Sequence, residues 1–144
     1  MVSPFFTNKR KEITKVRKVF FKDVGLRNGV INNFNPLNQR VDSGGIVENF
    51  VFSQVNKESE FPQRISFWRS QAKNGVDFIW QENINEMYPI EVKIKYPIRQ
   101  PFPPGFKSFI NMYKPSKGFI IHIGESAFLK FKETNIYVIP AWAI

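Results

Sequence analysis

The chain has 144 residues, 42% hydrophobic and 16% aromatic, which suits one domain with its own core and excludes a disordered or low-complexity segment. It has no cysteine, which rules out disulfides, thiolate zinc sites and cysteine nucleophiles, and no apolar run near the roughly 18–20 residues that span a bilayer. Of the net charge of +9, +7 lies in residues 1–40, where nine Lys and Arg face only Glu12 and Asp23. Such a block is an electrostatic footprint for a polyanion, nucleic acid ahead of an anionic membrane; a solvated face or an acidic neighbouring domain would explain it equally well.

MVSPFF has neither the basic start nor the long apolar stretch of a signal peptide, so a cytoplasmic location is expected and no membrane partner. Residues 1–15 read as an extended segment running into polar NKRKE, with nothing that closes a unit of its own. Lys18–Lys22 (KVFFK) reads as a short β run. Asp23 can cap a helix over Val24–Ile31, and Asn32–Asp42 is a surface connection rich in Asn. Ser43 is the expected N-cap of the next helix, to about Asn56, with Ile46, Val47, Phe50, Val51 and Val55 as its apolar stripe and Glu48 on the flank. Arg64–Arg69 is the next strand, followed by a tight turn at Lys73-Asn74-Gly75.

Two strands then follow in VDFIWQENINEMYPIEVKIK, residues 76–95. Val76, Phe78 and Trp80 alternate with Asp77, Ile79 and Gln81, and Tyr88, Ile90, Val92 and Ile94 alternate with Glu91, Lys93 and Lys95. The prolines of 97–105 forbid regular structure there. A helix is expected over Phe106–Lys114, and strands over Gly118–Ile123, apolar on both faces and so central, and Asn135–Ile139.

Residues two apart on a strand share a face, so Glu91 and Lys93 project together, and pairing of the two strands lets Asp77 join them. Two carboxylates and an ammonium suit a hard divalent cation and phosphodiester hydrolysis. A strand with one face in water shows the same spacing, so the pattern alone leaves both readings open. No GxxxxGK[ST] or GxGxxG occurs, which leaves no phosphate-cradling nucleotide loop. The single histidine, His122, lies between isoleucines in a strand and reads as structural.

Helix-Glu, strand-Asp, strand-Glu-x-Lys and a further helix is the order of the PD-(D/E)XK nuclease core. The blocks KRKEITKVRKVFFKDVGLRN, GGIVENFVFSQV, SFWRS…NGVDFIW and PIEVK further resemble the C-terminal domain of a large family of predicted prokaryotic AAA+ ATPases, in which an ATPase module and a winged helix precede a domain of unknown function. The resemblance implies a single nuclease-like domain over 1–144, with residues 1–15 as the remnant of the winged-helix junction. It implies an α/β fold of restriction-endonuclease-like type, a three-layer α/β/α core with a mixed central sheet.

Carried over by position, Glu48, Asp77, Glu91 and Lys93 match the acidic and lysine positions of the nuclease motif. Asp77 and Glu91, with the Val92 carbonyl, are the implied ligands of Mg²⁺ or Mn²⁺, and Glu48 contributes through a water or a second metal. Lys93 orients or helps deprotonate the attacking water. Lys9, Arg10, Lys11, Lys15 and Arg69 are candidates for phosphate contacts, DNA being expected ahead of RNA. Two departures stand out: Val76 replaces the proline before Asp77, and Gly75 stands where the family usually has an acidic residue. The rival reading is a catalytically inactive nuclease-fold module that binds nucleic acid or a partner and regulates the ATPase.

Overall fold

The structure, a computed structural model, describes residues 1–5, 17–58, 64–70 and 74–144. Lys9, Arg10, Lys11 and Lys15, and Lys73 of the expected turn, lie outside the described residues. Seven strands form one mixed sheet: β1 (Ser3–Pro4), β2 (Arg64–Arg69), β3 (Gly75–Gln81), β4 (Met87–Val92), β5 (Lys117–His122), β6 (Ala127–Phe131) and β7 (Thr134–Pro140). Their order is β1-β2-β3-β4-β5-β7-β6. The β1–β2, β4–β5 and β5–β7 pairs are parallel and the others antiparallel. β5 is an interior strand, as its two apolar faces predict.

Among the described residues three α-helices accompany the sheet: α1 (Val24–Val30), α2 (Ser43–Glu58) and α3 (Pro104–Tyr113). Ile46, Val47, Val51 and Phe52 of α2 pack on Phe67, Phe78, Ile90, Val92 and Ile121 of one sheet face. Phe106, Phe109 and Ile110 of α3 pack on Trp68, Val76, Ile79, Ile120, Ile136 and Val138 of the other. The result is the expected three-layer α/β arrangement. A Cβ on Gly105 would collide with the Gly75 backbone, so this glycine lets the start of α3 lie directly on β3. A Cβ on Gly75 would itself sit 3.1 Å from the Trp68 carbonyl oxygen, which gives the missing acidic residue a packing reason.

Several boundaries differ from expectation, each for a local reason. Lys18–Lys22 is no strand: Lys18 forms an isolated bridge with Val2, after which the Asn49 side chain takes both backbone groups of Phe21 at 2.9 Å, removing them from any ladder. Ser43 is the first helical residue and Asp42 the cap, since the Asp42 carbonyl accepts from the Ile46 N–H. α3 begins at Pro104, a residue suited to the first turn, and ends in a left-handed Lys114 at φ 49°. β4 stops at Val92, short of Lys95.

The sequence reading did not foresee β6, whose hairpin with β7 turns through only Lys132 (φ 54°) and Glu133 with no Gly or Asn to mark it.

The irregularity that matters for the site lies between β2 and β3. Ser66 pairs with Ile79 and Trp68 with Val76, so Asp77 and Phe78 together oppose the single residue Phe67, which is a β-bulge. Strict alternation across β3 is therefore broken. Val76 joins Ile79 in the α3-side core while Phe78 packs on the α2 side.

Candidate active site

The site forms where the β3–β4 ladder stops. Its last pair at this end is Phe78 with Ile90, one step before Asp77 and Glu91. In place of the next ladder bond, Asp77 Oδ2 accepts from the Val92 N–H at 2.9 Å, so this carboxylate lies in the seam between the two strands. The bulge makes that possible by releasing Asp77 from the alternation of its neighbours.

Glu91 alternates between Ile90 and Val92, both of which belong to the α2-side core, and so leaves β4 on the α3 side. It is only 5% exposed. Its Oε1 takes the Lys93 ammonium at 2.7 Å, and its Oε2 is buried with no hydrogen-bond partner. Burial above all, and then the charge of Asp77, push the Glu91 carboxyl up to about 7, with Lys93 and a hydrogen bond from the Asp77 backbone pulling it partly back. Burial works to lower the Lys93 pKa, but the hydrogen bond and charge of Glu91, with the charges of Asp77 and Glu48, outweigh it and raise the pKa overall. Lys93 is therefore a persistent cation.

Glu48 reaches the seam from α2, where it meets a lysine that the motif did not include. Lys18 Nζ lies 2.8 Å from Glu48 Oε1 and 3.9 Å from Asp77 Oδ1. The ammonium also lies over the rings of Phe67 and Phe20, 5.5 and 5.9 Å from their centroids.

The four motif residues thus come to one corner, but they do not share one face, which corrects the expectation from alternation. Glu48 approaches from the α2 side, Asp77 lies in the seam, and Glu91 leaves on the α3 side. Among the described residues no group of three or more His, Cys, Asp or Glu could hold a metal ion. Arg69 stands exposed at the end of β2, next to Gly75.

Lys18 and Asn49 are the residues the sequence did not single out. Nothing distinguishes Lys18 from the other basic residues near it. Asn49 did carry a signal: it is a polar side chain at helical spacing from Ile46, Phe52 and Ser53, all of them buried. His122, as its position suggested, is tied to backbone at both ring nitrogens: Nδ1 accepts from the Tyr96 N–H at 3.2 Å and Nε2 meets the Glu125 carbonyl at 2.9 Å.

No helix among the described residues is long and apolar enough to cross a membrane. A protein-family model described as "Domain of unknown function (DUF4143)" matches residues 43–144, from the start of α2 to Ile144. No curated protein and no solved structure matches the chain.

Proposed function

The chain belongs to the DUF4143 family, and for its carboxylate corner we propose a metal-dependent phosphodiesterase of the PD-(D/E)XK nuclease kind, acting on DNA. The observation that carries this reading is Glu91. A buried carboxylate with one orphaned oxygen is costly unless a proton or a cation completes it, and Oε2 is such an oxygen. A hard oxygen donor fits Mg²⁺ or Mn²⁺. Asp77 and Glu91 would hold the ion, with the Val92 carbonyl as a further donor. When bound, it would act as a Lewis acid on the scissile phosphate and lower the pKa of a water.

The chain's own groups do the rest. Lys93, 2.7 Å from Glu91 Oε1, would stabilise charge in the transition state and orient or help deprotonate the attacking water. The Val92 N–H fixes Asp77 in the seam by occupying Oδ2, while Oδ1 faces the Lys18 ammonium at 3.9 Å. Arg69 and the basic residues of 1–40 would hold the phosphodiester backbone without reading its sequence. An upstream winged helix and AAA+ ATPase module would be the partners of this domain in a longer protein.

One observation favours the rival, an inactive nuclease-fold module that docks on nucleic acid or on the ATPase and regulates it: no three of the described His, Cys, Asp and Glu are grouped so that they could hold a metal ion. The experiment that separates them is cleavage of plasmid, single-stranded and branched DNA with Mg²⁺ and with Mn²⁺. Metal-dependent cleavage lost in Glu91→Gln supports the enzyme. Wild-type protein inert on every substrate, yet binding DNA, supports the module.

A further inference from the structure

We propose that the Lys18 ammonium stands in place of a second metal ion at this site. It takes the position between Glu48 and Asp77 that a second divalent ion would occupy, so that the chain binds one metal ion and Glu48 serves Lys18 instead of a metal. The single ion of this account rests on the hydrolytic reading above; the placement of Lys18 does not.

Three observations meet here. The first is the ammonium's surroundings, which are anionic or aromatic: Glu48 Oε1 at 2.8 Å, Asp77 Oδ1 at 3.9 Å, and the faces of Phe67 and Phe20. A lysine that merely solvates a surface is not held in this way.

The second is the backbone, which is pinned at Lys18 itself and again just beyond it. Val2 and Lys18 exchange N–H···O bonds of 2.8 and 3.0 Å, and Val2 is itself buried. Three residues on, Asn49 clamps both backbone groups of Phe21. Asn49 is the neighbour of Glu48 on α2, so the same helical turn that supplies the carboxylate also fixes the segment that supplies its cation.

The third is charge. Glu48, Asp77 and Glu91 share two ammoniums, Lys18 and Lys93, and the oxygen left without a partner is on Glu91, at the far side of the seam from Lys18. One divalent ion near Glu91 turns that deficit into the small positive excess that a phosphodiester needs. A second ion at Glu48 and Asp77 would have to displace Lys18 or stand against it.

The chemistry assigned to Lys18 follows from this position. It would neutralise charge on the phosphate oxygens as a fixed cation with no coordination demands. It lies outside residues 43–144, the span that the family model matches.

The test is a Mn²⁺ titration of the full chain by calorimetry, with free Mn²⁺ followed by electron paramagnetic resonance. Wild type is expected to bind one ion, and Glu48→Gln the same one ion with little change in affinity. Lys18→Met is expected to bind a second ion, which the Lys18→Met/Glu48→Gln double variant loses again. The proposal is overturned if Glu48→Gln weakens the first ion by about tenfold or more, the loss typical of a metal ligand or its direct support. It is equally overturned if folded Lys18→Met matches wild type in number and affinity of ions. If Lys18→Met does not fold, the Glu48→Gln arm alone decides.

The outcomes also separate this inference from the hydrolytic reading. An ion gained in Lys18→Met where wild type binds none upholds Lys18 and removes the Asp77–Glu91 metal site. An ion in wild type that needs Glu91, with none gained in Lys18→Met, does the reverse. No ion in either protein overturns both.

Discussion

Two charged clusters of this molecule use similar groups to opposite ends. In one, Asp42 at the cap of α2 is shared by two guanidiniums: Arg40 Nε and NH2 donate to its two oxygens at 2.9 Å, and Arg27 NH1 donates at 2.9 Å. Arg40 also donates to the Asn33 carbonyl, so the cluster ties the 32–42 connection to α1 and α2. The hydrogen bonds from Arg40 and then Arg27 hold the Asp42 carboxyl well below the usual carboxylate range. In the other, three carboxylates share two ammoniums, one oxygen is orphaned, and burial pushes Glu91 up. A satisfied cluster is the signature of architecture. A cluster short of positive charge at a break in a sheet is the signature of a place built to receive something.

The comparison is broken or sharpened most strongly by removing one carboxylate from each cluster. Glu91→Gln is expected to abolish metal binding and cleavage together while leaving the fold no less stable at pH 8, because it removes a buried charge. Asp42→Asn is expected to lower the thermal midpoint and leave cleavage intact. Melting curves and cleavage rates on the same two proteins check both halves. Reversed phenotypes would mean that the clusters have been assigned the wrong way round.

Lys93→Met comes next. It should cost on the order of 10²–10³ in rate, the usual loss for one electrostatic interaction with the transition state, while Mn²⁺ affinity stays near wild type. A lysine with only a solvated role would change stability by a few tenths of a kcal/mol and nothing else.

The pH dependence of stability gives a smaller effect, of opposite sign in the two clusters. Glu91 has a folded pKa raised from 4.5 to about 7, so its contribution is fully present below pH 4.5 and is lost as pH rises through 7. The amount is on the order of a few kcal/mol, and it should vanish in Glu91→Gln. Asp42 has a depressed pKa, so its contribution is present above its ordinary 3.8 and is lost as pH falls below that value. Metal binding needs the ionised form of Glu91, so Mn²⁺ should release a proton at pH 6 and release none at pH 8.5. Titration in buffers of different ionisation enthalpy reads this directly.

The smallest effect belongs to the exposed cations. Arg69→Ala should leave stability within about 0.5 kcal/mol. It should flatten the salt dependence of duplex binding by ~0.9 for each phosphate it no longer neutralises, and removing the charges of Lys9, Arg10, Lys11 and Lys15 should flatten it further. An unchanged slope would assign that charge to an acidic partner or to solubility.

The layers of the fold were legible because burial writes periodicity into sequence. The stripe of Ile46, Val47 and Val51, the alternation of Tyr88, Ile90 and Val92, and the doubly apolar GFIIHI lead to α2, β4 and β5 directly. The proximity of Glu91 and Lys93 was legible for the same reason, since i and i+2 on a strand need no tertiary information. What was not legible depends on register. The bulge that frees Asp77 is a property of how β3 meets β2, and residues 75–81 alone read as a regular strand. Lys18 reaches Glu48 across thirty positions only because a bridge to Val2 and a clamp by Asn49 fold its segment over α2.

The central claim is that the orphaned oxygen of Glu91 awaits a cation, and a crystal soaked in Mn²⁺ tests it most directly through the metal's anomalous scattering. The account predicts one peak, about 2.0–2.3 Å from Glu91 Oε2 and within coordinating distance of Asp77 Oδ1, with Lys18 still on Glu48. A fully soaked crystal with no peak in the seam, or with its ion between Glu48 and Asp77 and Lys18 turned away, would contradict it.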